Sequence, residues 1–150
     1  MQPKEAIVFR ADMVVLRDGK PIAVIEAKRH PVRPPFQEPV VRELSEYSTS
    51  VNSPWMVLVD PEKTQFFRSG EMTRPIATLS TGEIVEQETP SRPDVIGERT
   101  LLFAVDRWLH GLPQRTQFVS RHPELRDFAL DISNHITTER DWWPGQSGDG

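Results

Sequence analysis

The stretch Asp12-Met13-Val14-Val15-Leu16-Arg17-Asp18-Gly19-Lys20-Pro21-Ile22-Ala23-Val24-Ile25-Glu26-Ala27-Lys28 decides how this chain is read. Two apolar runs flank Arg17-Asp18-Gly19-Lys20, a strong turn signal. The runs are apolar at consecutive positions instead of alternating, which suits central strands covered on both faces, as in α/β sheets. Ala6–Leu16 is therefore expected as one strand and Pro21–Ala27 as the next. Each carries a charge where a buried strand should have none: Asp12 in the first, Glu26 at the end of the second, with Lys28 two residues on. Charges so close to a sheet core cost several kcal/mol, on the order of a buried ion's desolvation, unless paired or bound to a metal.

Residues two apart in a strand share a face, so Glu26 and Lys28 point one way and Ile25 and Ala27 the other. Whether Asp12 joins them depends on hairpin register. With Asp18-Gly19 alone as the loop, Asp12 falls opposite Ile25 and on the face away from Glu26. With Arg17-Asp18-Gly19 as the loop and Gly19 left-handed, Asp12 falls opposite Val24, on the face of Glu26. A shared site requires that paired positions sum to an even number, as in the second register, or a further bulge near Asp12. Given that, the two carboxylates with the Ala27 carbonyl suit a hard divalent cation such as magnesium, with manganese as a substitute. Lys28 beside them suits steadying charge on a phosphate or placing and deprotonating a water.

These residues resemble the PD-(D/E)XK nuclease core, and most of all the nuclease segment in the motor subunits of type I restriction enzymes and related stand-alone proteins. The likeness lies in Asp12–Leu16, the Asp18-Gly19-Lys20-Pro21 turn and Ile22–Lys28, and extends over roughly residues 6–68. It implies a restriction-endonuclease-like α/β core, a mixed sheet flanked by helices. Asp12, Glu26 and Lys28 would be catalytic, Asp12, Glu26 and Ala27 would hold the metal, and the substrate would be nucleic acid, DNA by the likeness. The type I group also carries Gln-x-x-x-Tyr on the following helix. Here Tyr47 matches, and Glu43 stands where the glutamine would be. Glu43, Tyr47 and Arg29 are thus candidate substrate-side or supporting residues. The family's usual first helix has no counterpart in the eleven residues before Asp12, so the core is a shortened variant or takes that helix from a partner or from the far end of the chain.

The remaining elements follow from punctuation and period. Pro31–Pro39 holds four prolines in nine residues and excludes a helix. A helix is expected from about Pro39 to Val51, its stripe being Val40, Leu44, Tyr47 and Val51. Trp55–Val59 and Thr64–Arg68 should form a hairpin around Asp60-Pro61-Glu62-Lys63, and a weaker strand pair is expected at Pro75–Leu79 and Glu83–Glu86. After a linker at Thr89–Pro93, helices are expected at Thr100–Leu109 and Pro123–Ile136. The whole reads as one domain over 1–140 with a flexible tail at 141–150, in which Trp142-Trp143 would cover the core or anchor a partner.

Composition bounds the function. The chain has 150 residues and fourteen prolines, which argues against a long helical bundle. It has no cysteine, which removes disulfides, thiolate chemistry and the usual zinc ligands. Its apolar runs are too short for a membrane span and no signal peptide is evident, so a cytoplasmic protein is expected. The net charge is −4, yet residues 1–35 carry seven Lys/Arg against four Asp/Glu. An anion-facing surface is thus expected in the N-terminal quarter, with Arg29, Arg33 and Arg42 as candidate phosphate contacts and His30 near the cleft. The alternative is a catalytically inactive module on the same fold, docking or dimerising within a larger assembly through its C-terminal helices.

Overall fold

The structure, a computed structural model, describes residues 11–71, 74–88, 97–132 and 136–140. In chain order it contains β1 (Met13–Arg17), β2 (Lys20–Ala27), α1 (Gln37–Ser50), β3 (Trp55–Val59), β4 (Lys63–Arg68), β5 (Ala77–Ser80), α2 (Thr81–Glu88), α3 (Glu98–Gly111), α4 (Thr116–Arg121), α5 (Arg126–Asp131) and β6 (Ile136–Arg140). Short 3₁₀ turns at Leu112–Gln114 and Pro123–Leu125 join the last helices. The strands form one open mixed sheet in the order β5-β4-β3-β2-β1-β6. Only β2 and β3 run parallel, because α1 carries the chain back between them; every other neighbouring pair is antiparallel. The fold is α/β, as the apolar strands required.

The β1–β2 hairpin takes neither register in pure form. Asp18 (φ 55°) and Gly19 (φ 77°) are both left-handed, the signature of a two-residue type I′ turn, and Arg17 pairs with Lys20. Pro21 then falls opposite Leu16, next to the closing pair, where a strand residue does not donate across the hairpin and the missing N–H costs nothing. A bulge follows. Ile22 has no partner, and from Ala23 onward the pairing is Ala23 with Val15, Val24 with Val14 and Ile25 with Met13. Ile22 and Ala23 consequently lie in the same apolar layer although adjacent in sequence. Continued one step, this register brings Asp12 opposite Glu26 instead of opposite Ile25.

The two faces of the sheet are covered differently. Met13, Val15, Ala23, Ile25, Trp55, Val57 and Phe66 face α2–α5, packing with Ile84, Leu102, Val105, Trp108, Phe118 and Phe128. Aromatic edges meet rings there: Trp55 and Phe66 against Phe128, and Trp108 against Phe118. The opposite face holds Val14, Leu16, Val24, Met56, Leu58 and Phe67, and among the described helices only α1 lies in this layer, through Val41, Leu44, Tyr47 and Val51. The stripe read from the sequence is shifted at one position: Val41 is fully buried where Val40 is only partly so.

Three expectations are corrected. Glu83–Glu86 belongs to α2, not to a strand; as a strand, Ile84 and Val85 would face opposite ways, whereas a helix beside α3 buries both. Pro123–Ile136 is not one helix: a 3₁₀ turn and α5 end at Asp131, and Ile136 opens edge strand β6, which pairs with β1. The β-branched run Ile136-Thr137-Thr138 is a signal that could have revealed β6. The first strand starts at Met13 among the described residues, and Ala11–Asp12 lie outside the ladder. The linker at Thr89–Pro93 and the tail with Trp142-Trp143 lie outside the described residues. No helix among the described residues is long and apolar enough to cross a membrane.

Candidate active site

Asp12, Glu26 and Lys28 come together at the end of β2, where Glu26 projects on the α1 face. Asp12 lies just before β1 and is tied to the end of β2 twice, once through its backbone N–H and once through its carboxylate. The Asp12 N–H donates to Glu26 Oε1 (3.2 Å), and the Ala27 N–H donates to Asp12 Oδ2 (2.9 Å). Lys28 Nζ lies 3.1 Å from Glu26 Oε2. Glu26 is only 6 % exposed, Asp12 is half-buried, and the Lys28 side chain keeps 34 % of its surface, so solvent reaches the group from the lysine side.

The Ala27 peptide is oriented by the sheet. Lys28 N–H donates to the Val59 carbonyl, so in this parallel ladder Lys28, and not Ala27, points its amide toward β3. The Ala27 N–H faces Asp12, and its carbonyl points to that same side by strand geometry. Two carboxylates and one peptide oxygen thus converge at the strand end.

The electrostatics show what the pair lacks. Burial, then the neighbouring Asp12 charge, pushes the Glu26 carboxyl up to about 7, with Lys28 opposing. Asp12 is also raised, chiefly by burial and then by the charge of Glu98 at the start of α3; the Ala27 N–H, Lys28 and a hydrogen bond with Glu26 pull the other way. Near neutral pH Glu26 is close to half protonated, and one lysine does not compensate both charges. A divalent cation would displace that proton and satisfy both groups. Hard oxygen donors fit magnesium, which keeps several of its waters and needs few protein ligands. Among the described residues, no cluster of three or more Asp, Glu or His side chains is placed to hold a metal, so the fit rests on this pair with the Ala27 carbonyl.

The other sequence candidates are placed apart from the pair in character. Glu43 is exposed on α1. Tyr47 is 5 % exposed, its ring buried in the apolar layer with Val24 and Met56, a packing position. Arg29 and His30 are exposed just beyond Lys28. Arg33 forms two 2.8 Å bonds with the Glu62 carboxylate, and Arg42 pairs with Glu38 at 2.7 Å on α1. Two residues that the sequence did not single out matter to the surroundings. Glu98, at the start of α3, adds a charge that raises Asp12 further, which no local pattern reveals. Asp60, 1 % exposed, accepts the Val32 N–H (2.9 Å) and so fixes the loop leaving the site; its Asp-Pro context signalled only a turn. Set against known proteins, the chain matches no family model, no curated protein and no solved structure.

Proposed function

We propose that the chain is a magnesium-dependent phosphodiesterase of the PD-(D/E)XK type acting on nucleic acid, most naturally DNA. The observation that carries this reading is the meeting of Asp12, Glu26 and Lys28 at one partly open strand end, with two carboxyls whose ionisation burial opposes. Asp12, Glu26 and the Ala27 carbonyl would hold the cation, with manganese able to substitute. Magnesium bound there supplies Lewis-acid polarisation of the phosphoryl oxygen and a more acidic water. Lys28, anchored on Glu26 and reachable from solvent, steadies the charge of the scissile phosphate or orients the attacking water. Burial of Glu26 raises the strength of each of these interactions above what bulk water would allow.

The test is cleavage of single-stranded and duplex DNA with magnesium or manganese, by the wild type and by Glu26→Ala and Lys28→Ala. Both variants should lose cleavage and retain their fold. Undiminished cutting by both would remove the assignment.

A second reading is favoured by one observation. Leu112, Pro113, Val119, Ala129 and Leu130 line an apolar groove of about 400 Å³, and Leu130 is 61 % exposed. An inactive nuclease-like module that docks through this end would use such a surface. A wild type that neither cuts nor responds to magnesium, yet self-associates, would establish it.

A further inference from the structure

Between Lys28 and α1 the chain runs Lys28-Arg29-His30-Pro31-Val32-Arg33-Pro34-Pro35-Phe36, without an acidic residue. The topology fixes where this segment lies. β2 and β3 are parallel, and α1 returns between them, so the start of α1 stands at the end of β2 that carries Glu26 and Lys28. α1 also packs on the face from which those side chains project. Phe36, the residue immediately before α1, therefore stands at the same end of the sheet as the site, on the side of the β3–β4 turn.

The segment is pinned at several points. Val32 N–H donates to Asp60 Oδ2 (2.9 Å), and Lys63 Nζ donates to the Val32 carbonyl (2.8 Å). Arg33 grips Glu62 through two hydrogen bonds, and Phe36 N–H donates to the Arg33 carbonyl (2.7 Å). Asp60 is itself held by the N–H groups of Glu62 and Lys63. On this fixed support the Phe36 side chain is 70 % exposed, more than any other large apolar side chain among the described residues. Its backbone is already helical (φ −79°, ψ −16°) and its side chain makes no capping bond. The ring is left bare at the helix start. Phe103 differs, since the Arg107 guanidinium lies over its ring at 5.7 Å.

We propose that Phe36 is a stacking platform for an unpaired base, so that the nucleic acid cut at Lys28 is single-stranded or locally opened. The inference rests on the nuclease reading for the identity of the ligand. The ring offers a π-face and no hydrogen-bond code, which suits stacking that tolerates any sequence. Arg29, exposed just beyond Lys28, meets the phosphate backbone, while Arg33 and Arg42 neutralise the exposed Glu62 and Glu38 near the ring. In a duplex the base faces are stacked on one another and are not offered to a side chain.

The test is binding of a short, fluorescently labelled oligothymidylate, followed by anisotropy with calcium in place of magnesium so that the strand stays intact. The wild type should bind it more tightly than a duplex of equal length. Phe36→Ala should weaken single-strand binding roughly tenfold, with duplex binding and Tm unchanged, and Phe36→Trp should restore it. Equal binding by wild type and Phe36→Ala, no single-strand binding, or a duplex preference would each overturn the proposal; the first of these would leave the ring to another partner such as a protein. Cleavage by the wild type and by Phe36→Ala, with Lys28→Ala as the site control, separates the two claims. A protein that binds through Phe36 and never cuts keeps the platform and loses the nuclease, whereas one that cuts equally well with and without Phe36 does the reverse.

Discussion

The two faces of the sheet divide the labour of this protein. One is roofed by four helices and filled with interlocking rings, among them Trp108, Phe66 and Phe128. The other is roofed, among the described residues, by α1, and at its end stand Glu26 and Asp12, the two carboxyls that burial raises. Stability is concentrated on the thick side, which leaves the thin side free to hold buried charge that a stability-only design would remove. Breaking each side should therefore give opposite phenotypes.

The largest effect belongs to the thick side. Trp108→Ala should destabilise the fold by about 3–5 kcal/mol, read by chemical denaturation, because the ring is fully buried and its loss leaves a cavity. Next comes the pH response of the thin side. Glu26 holds its proton up to about 7 when folded and releases it near 4.5 when unfolded, so the unfolded chain binds fewer protons between these values. Metal-free stability should fall as pH rises through that window, by at most about 3 kcal/mol. Magnesium, which favours the ionised pair, should stabilise more as pH passes 7. Glu26→Gln should flatten the pH dependence and abolish the magnesium response together. A metal-free protein whose stability rose over the same window would contradict the electrostatics of the pair.

Lys28→Ala should lower cleavage by about 10²-fold or more, as loss of a charge-stabilising group does, with Tm changed by no more than a few degrees because the side chain is a third exposed. The smallest effect is expected on the outer surface of α1. Breaking the exposed Arg42–Glu38 pair with Arg42→Ala should change stability by less than about 0.5 kcal/mol. A large effect there would mean that the thin side depends on its surface more than its buried layer suggests.

The strands around the site were legible because their apolar runs and their turn are local signals. Trp55–Val59 and the β4 hairpin stand where those signals put them, while α1 starts at Gln37, two residues inside the proline segment, with Pro39 in its first turn. The convergence of Asp12 with Glu26 was legible only as a condition. Asp-Gly announced a tight turn, yet the two-residue loop by itself would have separated the carboxyls. The bulge at Ile22 reconciles them, and it is settled by how both neighbouring strands pack, which hairpin chemistry alone does not encode. The C-terminal half was harder to read for a similar reason. Ile84-Val85 suits a strand or a helix until α3 lies beside it, and β6 is short, half-polar and meaningful only as the outer partner of β1. The charge of Glu98 near Asp12 joins positions far apart in the chain, a relation that periodicity does not carry.

The lone bulge in the first hairpin also constrains how its length can change through descent. Dropping or gaining one residue between Met13 and Ile25 would turn Asp12 to the aromatic side and strand it there, whereas adding two would keep it beside its glutamate. Viable insertions and deletions in that hairpin should therefore come in even numbers, even though its tip is the sort of exposed turn where single-residue changes are ordinarily harmless.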